Sequence, residues 1–421
     1  MEAEPSPAGA PQVEAGPPHG PSLRMVSQPG PVSLVHCDDY DLEHLRAALR
    51  DLLAPLGGMA AFVKAGERIG LKPNIILPSA PDKAICTHPL LVAAVALAVR
   101  EAGGYPIVVE SPGAGIVPLK SILVGVFRRA GYREVADQYD FELSYETEWE
   151  EIHHPDGKRV HRVELLKSYL ACDGLINMSK FKTHTFQVMS GATKNLFGLI
   201  PGLTKVGYHA KLPEPKLFGD MLLDIASLAR PRLNIVDGIL ALEGQGPSTS
   251  GTPRKMDFLL AADDSLAADL TCCAITGIDP MAVPLLAAAR DRGMWKGRPE
   301  DVPTVGAPVS RFAVNDFALP GKYLYKSGLG RAHFLADKPR SLMRDGFSRR
   351  PRPKAGRCTV CGACAQACPG KTIVMDKKTR VALVEDDTCI QCFCCHEVCP
   401  NAAIDLEFTG FGKLMHGLKL V

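Results

Sequence analysis

Nine of the fourteen cysteines fall between Cys358 and Cys399, in a spacing that could hold metal clusters. Four of them form a C-x2-C-x2-C-x3-C run followed by proline, and four more repeat that run. The first run consists of Cys358, Cys361, Cys364 and Cys368, and the second of Cys389, Cys392, Cys395 and Cys399. The two runs together therefore supply the eight thiolates that two four-iron cubes require.

This spacing is typical of bacterial two-cluster ferredoxins, in which the fourth cysteine of each run ligates the other cluster. We therefore predict two [4Fe-4S] clusters. The predicted ligands are Cys358, Cys361, Cys364 and Cys399 for cluster 1, and Cys389, Cys392, Cys395 and Cys368 for cluster 2. Zinc is the alternative, but zinc sites use C-x2-C pairs and have no need of two such runs. The ninth cysteine, Cys394, is expected to pack without ligating, and a ligand exchange with Cys395 is the alternative.

A second group of reactive side chains lies between Asn177 and Lys211, a stretch of thirty-five residues without an acid. The candidate catalytic residues there are Lys180, Lys182, His184, Lys194 and His209. Unpaired cations are costly unless water or an anion matches them, so we interpret the stretch as a loop that binds an anionic ligand. A solvated surface is the alternative. A lysine crowded by other cations has a lowered pKa, so one of these residues could also act as an acid or a base.

Polar residues near the ends of other predicted strands and helices extend this candidate site. The candidate cofactor-binding residues are Lys72, Asn74, Thr87, His88, Ser111, Asn195 and Lys211. Thr87 and His88 precede a long apolar helix whose N-terminus could bind an anion. The turn at 110–115 lacks the G-x-G-x-x-G fingerprint of dinucleotide binding. Asp237 and Glu243 could converge on the cationic loop or ligate a metal, and a structural role is the alternative.

Strands and helices alternate from residue 32 to residue 276, and they must position these side chains. The predicted strands are 32–37, 68–77, 107–110, 141–145, 174–178, 233–236 and 257–261. The predicted helices are 42–53, capped by Asp41, and 90–101, 121–130, 217–229 and 265–276. This alternation predicts an α/β domain with a mostly parallel sheet, helices on both faces, and ligands at the carboxyl ends of the strands.

The predicted domain boundaries follow changes in composition along the chain. Residues 1–31 form a disordered Pro/Gly-rich tail in which Met25 is a candidate start, and residues 32–337 form the α/β domain. Residues 338–355 form a basic linker, with a docking strip for an acidic redox partner as the alternative. Residues 356–402 form a small α+β ferredoxin-like domain, and residues 403–421 form an extension.

Composition narrows the classes of function. The net charge of +2 gives no reason to expect nucleic-acid binding. The apolar run at 90–99 is too short to span a bilayer, so we expect no membrane span. The first residues do not resemble a secretory signal, and we expect a cytoplasmic protein in a reducing compartment.

Several segments, in their order along the chain, resemble the domain-of-unknown-function-362 family. They are LKPNII, THP, ESPG, NMSKFKTH, GATKNLFGLIPG, YHAKL and VDGI. The resemblance covers roughly residues 32–300. Members of this family often carry a fused ferredoxin domain, so the resemblance implies the same architecture here, without implying a particular reaction.

These observations predict an iron-sulfur protein that carries electrons through two [4Fe-4S] clusters. The α/β domain is expected to bind an anionic small molecule or cofactor and to act as a ferredoxin-coupled oxidoreductase with a redox partner protein. One alternative is an electron carrier whose large domain serves only for docking. Another is a non-redox isomerase or cofactor-maturation enzyme with structural clusters.

Overall fold

The computed structural model describes residues 30–113, 119–320 and 349–408. Most of the predicted tail, the beginning of the predicted linker and the end of the predicted extension lie outside these ranges, as do Ala114 and Gly115. The strands are β1 (Val32–His36), β2 (Arg68–Lys72), β3 (Tyr105–Val108), β4 (Glu142–Leu143), β5 (Trp149–His153), β6 (Arg162–Leu166), β7 (Gly174–His184), β8 (Val188–Ser190), β9 (Leu233–Gly244), β10 (Gly251–Ala262), β11 (Thr304–Gly306), β12 (Arg349–Pro353), β13 (Ile373–Asp376), β14 (Val381–Val384) and β15 (Ile404–Phe408).

The α-helices alternate with the strands in the large domain and are short in the small one. They are α1 (Leu42–Leu53), α2 (Pro89–Glu101), α3 (Lys120–Arg129), α4 (Tyr132–Tyr139), α5 (Lys167–Leu170), α6 (Ala192–Asn195), α7 (Gly202–Lys211), α8 (Pro215–Ala229), α9 (Ser265–Thr276), α10 (Pro284–Asp291), α11 (Ala363–Gln366) and α12 (Cys394–Glu397). None of the helices in the described ranges is both long and apolar enough to cross a membrane.

The large domain is built on a nine-stranded sheet in the order β11-β1-β10-β9-β7-β2-β3-β4, with β8 paired to β7. The pairs β9-β7, β7-β2, β2-β3, β3-β4 and β1-β11 are parallel. The strand β10 is antiparallel to both of its neighbours. The prediction of a mostly parallel sheet is confirmed.

The hydrophobic core lies on both faces of this sheet, and the buried strand β7 contributes to both sides. Leu175 and Phe181 pack in the cluster that contains α8 and α9, whereas Ile176 and Met178 pack against α1 and α2. The predicted covering of both faces by helices is therefore confirmed. A central parallel strand with helices on both sides has no solvent face, which accounts for its long buried run.

The small domain contains two antiparallel strand pairs, β12-β15 and β13-β14, and the short helices α11 and α12. The β12-β15 pair joins residues 349–353 to residues 404–408. The predicted boundaries had placed these two segments in the linker and in the extension, because sequence composition does not reveal strand pairing. Basic side chains in and next to the predicted basic linker form ion pairs within the small domain. Arg352 binds Asp386 at 2.6 Å, and Arg357, two positions beyond the linker, binds Asp405.

Candidate functional site

Two cavities in the small domain are each lined by four cysteines that come from both runs. Cys368, Cys389, Cys392 and Cys395 line one cavity, and Cys358, Cys361, Cys364 and Cys399 line the other. These groups match the two predicted ligand sets, including the exchange of the fourth cysteine. The chemistry of each cavity fits a four-iron cube, which thiolates hold. The ninth cysteine, Cys394, is fully buried and does not line either cavity.

Backbone N–H groups near the cavities donate to cysteine sulfur atoms. The N–H of Thr372 donates to Cys368 Sγ at 3.4 Å, and that of Ala403 donates to Cys399 Sγ at 3.2 Å. Hydrogen bonds of this kind help to set the potential of an iron-sulfur cluster. The backbone around the cavities therefore brings the thiols together and also donates hydrogen bonds that stabilise charged sulfur atoms.

The two cavities differ in their surroundings. The cluster 1 cavity is lined by the exposed residues Cys361, Pro400 and Asn401. The cluster 2 cavity is lined by Phe393, which also packs against the hydrophobic core of the large domain. Both cavities therefore adjoin the large domain, since the Cys399 carbonyl of the cluster 1 cavity accepts from Thr249 Oγ1 at 2.8 Å, and the cluster 1 cavity has more exposed cysteine at its lining.

Five lysines come together in the large domain, and we call Lys72, Lys180, Lys182, Lys194 and Lys205 the lysine centre. Four of them are buried, and Lys194 is partly buried. Sheet register accounts for part of this convergence. Lys72 on β2 pairs in register with Asn177 on β7, and Lys180 on β7 pairs with Asp237 on β9.

Two of these lysines form buried ion pairs with acids that are distant in sequence. Lys72 Nζ donates to Glu110 Oε2 at 2.8 Å, and Lys180 Nζ donates to Asp237 Oδ2 at 3.0 Å. Burial lowers the pKa of Lys72 and that of Lys180, and it raises the pKa of Glu110. The interpretation of residues 177–211 as an unpaired loop is wrong for Lys180, which lies on a buried strand with its acid on the next strand.

Two further lysines are held by neutral oxygen atoms. Lys182 Nζ donates to Asn74 Oδ1 at 2.5 Å and to the carbonyl of Ile85 at 2.6 Å. Lys205 Nζ donates to the carbonyls of Ser111 and Pro112. Burial lowers the pKa of both lysines to about 7, and neighbouring lysines act in the same direction. Both ammonium groups are therefore close to losing their proton at neutral pH.

A network of asparagine amides fixes the backbone beneath the lysine centre. Asn195 donates to Asn177 Oδ1 at 2.8 Å and accepts from Asn74 at 2.9 Å. Asn177 in turn donates to the carbonyl of Ala192 and to Asn234 Oδ1, both at 2.8 Å. The predicted ligand contacts of Asn74 and Asn195 are thus taken by protein groups, because the amides lie on adjacent segments and satisfy one another.

Lys194 differs from the other four lysines. Its ammonium group makes no hydrogen bond or ion pair within the described ranges of the chain, and the residue is partly exposed. Burial lowers its pKa, while the Glu397 carboxylate and the Cys394 thiol act in the opposite direction. Its short helix is fixed by Asp269, which accepts from the N–H groups of Ala192 and Thr193.

The small domain contributes Glu397 to this site. Its Oε1 lies 3.2 Å from His184 Nε2, within ion-pair distance, although Oε1 makes no aligned hydrogen bond in the described part of the chain. His184 Nδ1 accepts from the N–H groups of Phe186 and Gln187, so its proton resides on Nε2. Burial raises the pKa of Glu397 to about 7, although Lys194 and Lys182 act in the opposite direction.

His209 lies beside this group and is also buried. Its ring stacks on Phe218, with the centroids 4.4 Å apart. Burial lowers its pKa to about 3, and the charge of Lys194 acts in the same direction. Its Nδ1 has no hydrogen-bond partner among the described residues. His209 is therefore a neutral imidazole with a free nitrogen near Lys194.

The remaining predicted residues either form contacts with other protein groups or lie away from the lysine centre. Thr87 Oγ1 donates to the carbonyl of Met178 at 2.7 Å, and the side chain of His88 caps α2. The anion at the N-terminus of α2 is Asp237, which accepts from the His88 N–H at 3.0 Å. Glu243 pairs with Arg254 at 2.9 Å. Lys211 is exposed at the end of α7 and does not join the lysine centre.

Two important residues were not predicted. Glu397 lies within the second cysteine run, two residues from Cys395 and from Cys399, so the pattern drew attention only to the thiols. Asp269 lies inside α9, for which the sequence pattern predicted only a helix at 265–276. Its role could have been suspected only from the burial of its helix, which is apolar on most sides.

The fold and the two cysteine cavities define an iron-sulfur protein, and comparisons with known proteins agree. Residues 357–403 match the family model described as 4Fe-4S dicluster domain. A domain of this kind carries electrons through two [4Fe-4S] clusters. Residues 69–274 match the model described as Domain of unknown function (DUF362), and the chain belongs to this family.

One relative is similar to this chain over most of its own length. The chain is 36% identical over 270 residues to the thylakoid-associated protein sll1697 of Synechocystis sp. (strain ATCC 27184 / PCC 6803 / Kazusa). The match covers 62% of this chain and 79% of the relative. The family resemblance inferred from the sequence motifs is therefore confirmed.

Proposed function

We propose that this protein is an iron-sulfur oxidoreductase that exchanges electrons between its clusters and an anionic small molecule bound beside Lys194. A redox partner protein would exchange electrons with cluster 1, and cluster 2 would exchange them with the bound anion. One observation carries the proposal. Helix α12 contains Cys395, which lines the cluster 2 cavity, and also Glu397, whose carboxylate lies 3.2 Å from His184 in the large domain.

The proposed order of electron transfer, with the partner protein at cluster 1 and the bound anion at cluster 2, is supported by the exposure of the cysteines. Cys361 is the exposed one among the eight predicted ligands, and it lines the cluster 1 cavity. Cys392 and Cys395, which line the other cavity, are buried. Cys364 and Cys399 of the cluster 1 cavity are buried as well, so the exposed Cys361 is the feature that would bring a partner protein closest to cluster 1.

The anionic character of the ligand is supported by the charges around Lys194. Lys182 and Lys194 have no carboxylate partner among the described residues of the large domain, and the Glu397 carboxylate of the small domain acts on the pKa of both. A site with surplus cations and low solvent access favours a negatively charged ligand.

The fourteen free cysteines further support a reducing compartment.

The ligand site can be tested without knowledge of the natural ligand. Carbon-13-labelled oxalate, added to the anaerobically reduced protein, should show hyperfine coupling to a cluster in electron-nuclear double resonance. Lys194→Met should abolish the coupling, because it removes the unpaired cation. Lys64→Met, at an exposed lysine, is the matched control and should retain it. Equal coupling in the wild type and Lys194→Met would contradict the proposed site.

The redox step can be tested by reoxidation of the reduced clusters. Nitrite, sulfite and 2-oxo acids are suitable reducible anions, and cluster absorbance reports the loss of electrons. At least one of them should reoxidise the wild type faster than Lys194→Met, with Lys64→Met behaving as the wild type. Identical rates for every anion would instead favour an electron carrier with a docking domain.

A further inference from the structure

We infer that Lys194 is a nucleophilic amine that forms a Schiff base with the carbonyl group of a 2-oxo acid. This inference rests on the proposed function, because the acid would occupy the same anion site. The amine nitrogen attacks the carbonyl carbon, the carbon-oxygen bond breaks, and a carbon-nitrogen double bond forms. The oxygen leaves as water with the two hydrogens of the amine, so no oxidant or reductant is consumed.

The first support is the contrast between Lys194 and the other members of the lysine centre. Lys72 and Lys180 are paired with carboxylates at 2.8 and 3.0 Å. Lys182 and Lys205 each donate to two oxygen atoms. These four amine groups are thus already held in fixed positions by oxygen atoms of the protein. Lys194 alone in this centre is without such a partner in the described ranges.

The second support is the environment of the amine. Lysine becomes nucleophilic when it is desolvated or lies next to other cations. Lys194 meets both conditions, since burial and the charge of Lys72 favour its neutral form. The residue as a whole is nevertheless partly exposed, and a small ligand would reach the amine from this side.

The third support is the rigidity of the backbone that carries Lys194. Asp269 Oδ1 accepts from the N–H of Ala192 at 2.6 Å, and Asn195 is held by Asn177 and Asn74. Gly191 permits the close approach of Asp269, since a Cβ there would lie 2.0 Å from Oδ1. A reacting group on such a fixed turn is preorganised for attack.

The chemical class of the ligand follows from the neighbouring groups. A 2-oxo acid presents a carboxylate next to its carbonyl, and that carboxylate suits the ammonium group of Lys182, which is held by neutral oxygen atoms only in the described ranges. Loss of water from the adduct requires a group that can exchange protons. His209 offers a buried Nδ1 without a partner among the described residues, near enough to Lys194 for their charges to interact.

The test is reductive trapping of the full, cluster-loaded chain. The protein is incubated anaerobically with pyruvate or glyoxylate and cyanoborohydride, and peptide mass spectrometry locates the adducts. Trapping at Lys194 should exceed trapping at the exposed Lys64, because burial keeps a larger fraction of the Lys194 amine unprotonated. Lys194→Arg keeps the charge without the nucleophile and should lose the adduct.

The outcomes separate this inference from the proposed function. If neither acid is trapped at Lys194 while oxalate still couples to a cluster, the Schiff base is refuted and the anion site stands. If an adduct forms without oxalate coupling, the amine is nucleophilic but the redox site is refuted. Iron content and circular dichroism of Lys194→Arg exclude misfolding as the cause of its loss.

Discussion

The small domain and the lysine centre assemble their chemistry in different ways. In the small domain, the eight thiols come from two short runs with repeated spacing, and they line two cavities. In the lysine centre, Lys72 and Glu110 come from segments separated by 38 positions, and Glu397 comes from another domain. Thiol ligands can therefore be recognised from local spacing, whereas a buried cationic site depends on long-range partners.

Among the predictions that test this comparison, the loss of a cluster has the largest expected effect. Cys392→Ala should remove cluster 2 and lower the iron content from about eight to about four per chain. Cys394→Ala is the matched control two positions away, and it should retain the full iron content because Cys394 does not line either cavity. Iron analysis with electron paramagnetic resonance measures both variants, and loss of iron in Cys394→Ala would reject the assignment.

The next effect concerns a buried pair of the lysine centre. Lys72→Met leaves the Glu110 carboxylate buried without its cation, and we expect it to lower the free energy of unfolding by about 3–5 kcal/mol. Lys216→Met removes an exposed pair with Asp291 and should cost less than about 1 kcal/mol. Anaerobic urea unfolding measures both. Equal effects would mean that the buried pair is not a structural requirement of the centre.

A smaller effect is expected when the space around the Lys72–Glu110 pair is filled. Gly198→Ala would place a Cβ 2.4 Å from both Lys72 Nζ and Glu110 Oε1, so we expect a loss of about 1–3 kcal/mol. Gly207→Ala, in the interior of α7, has no atom within 4 Å of the added Cβ. It should stabilise the helix by about 0.5–1 kcal/mol. The prediction fails if both substitutions change the urea midpoint in the same direction.

The smallest effect is a dependence of stability on pH. The pKa of Lys182 is lowered from 10.5 to about 7, so the unfolded chain binds more protons between these values. The free energy of unfolding should therefore rise with pH above 7 relative to Lys182→Met, by at most about 1.4 kcal/mol per pH unit. Urea titrations at pH 7, 8 and 9 measure this difference. A constant difference would show that Lys182 is not close to deprotonation at pH 7.

Much of the fold could be predicted because its signals are local. Asp41 caps α1 as predicted, since its side chain accepts from the His44 N–H at 3.0 Å. The helix Ser265–Thr276 has its predicted bounds. The strand β7 was predicted to end at residue 178 but continues to His184. Its lysines and histidine suggested a loop, because the groups that make their burial tolerable, such as Asp237, lie elsewhere in the chain.

The candidate site was only partly predictable for the same reason. Lys180, Lys182, His184, Lys194 and His209 do converge, because they lie on one strand and the two helices that follow it. The sequence could not distinguish the free amine of Lys194 from the bonded amine of Lys182. That difference depends on Asn74 and Ile85, which come from a distant loop.

The central claim is that cluster 2 faces the anion site beside Lys194. The most direct measurement is double resonance with carbon-13-labelled oxalate on two variants that each keep one cluster. Cys361→Ala should keep cluster 2 and retain the coupling, whereas Cys392→Ala should keep cluster 1 and lose it. Coupling in Cys392→Ala, or its absence from Cys361→Ala with cluster 2 intact, would contradict the account.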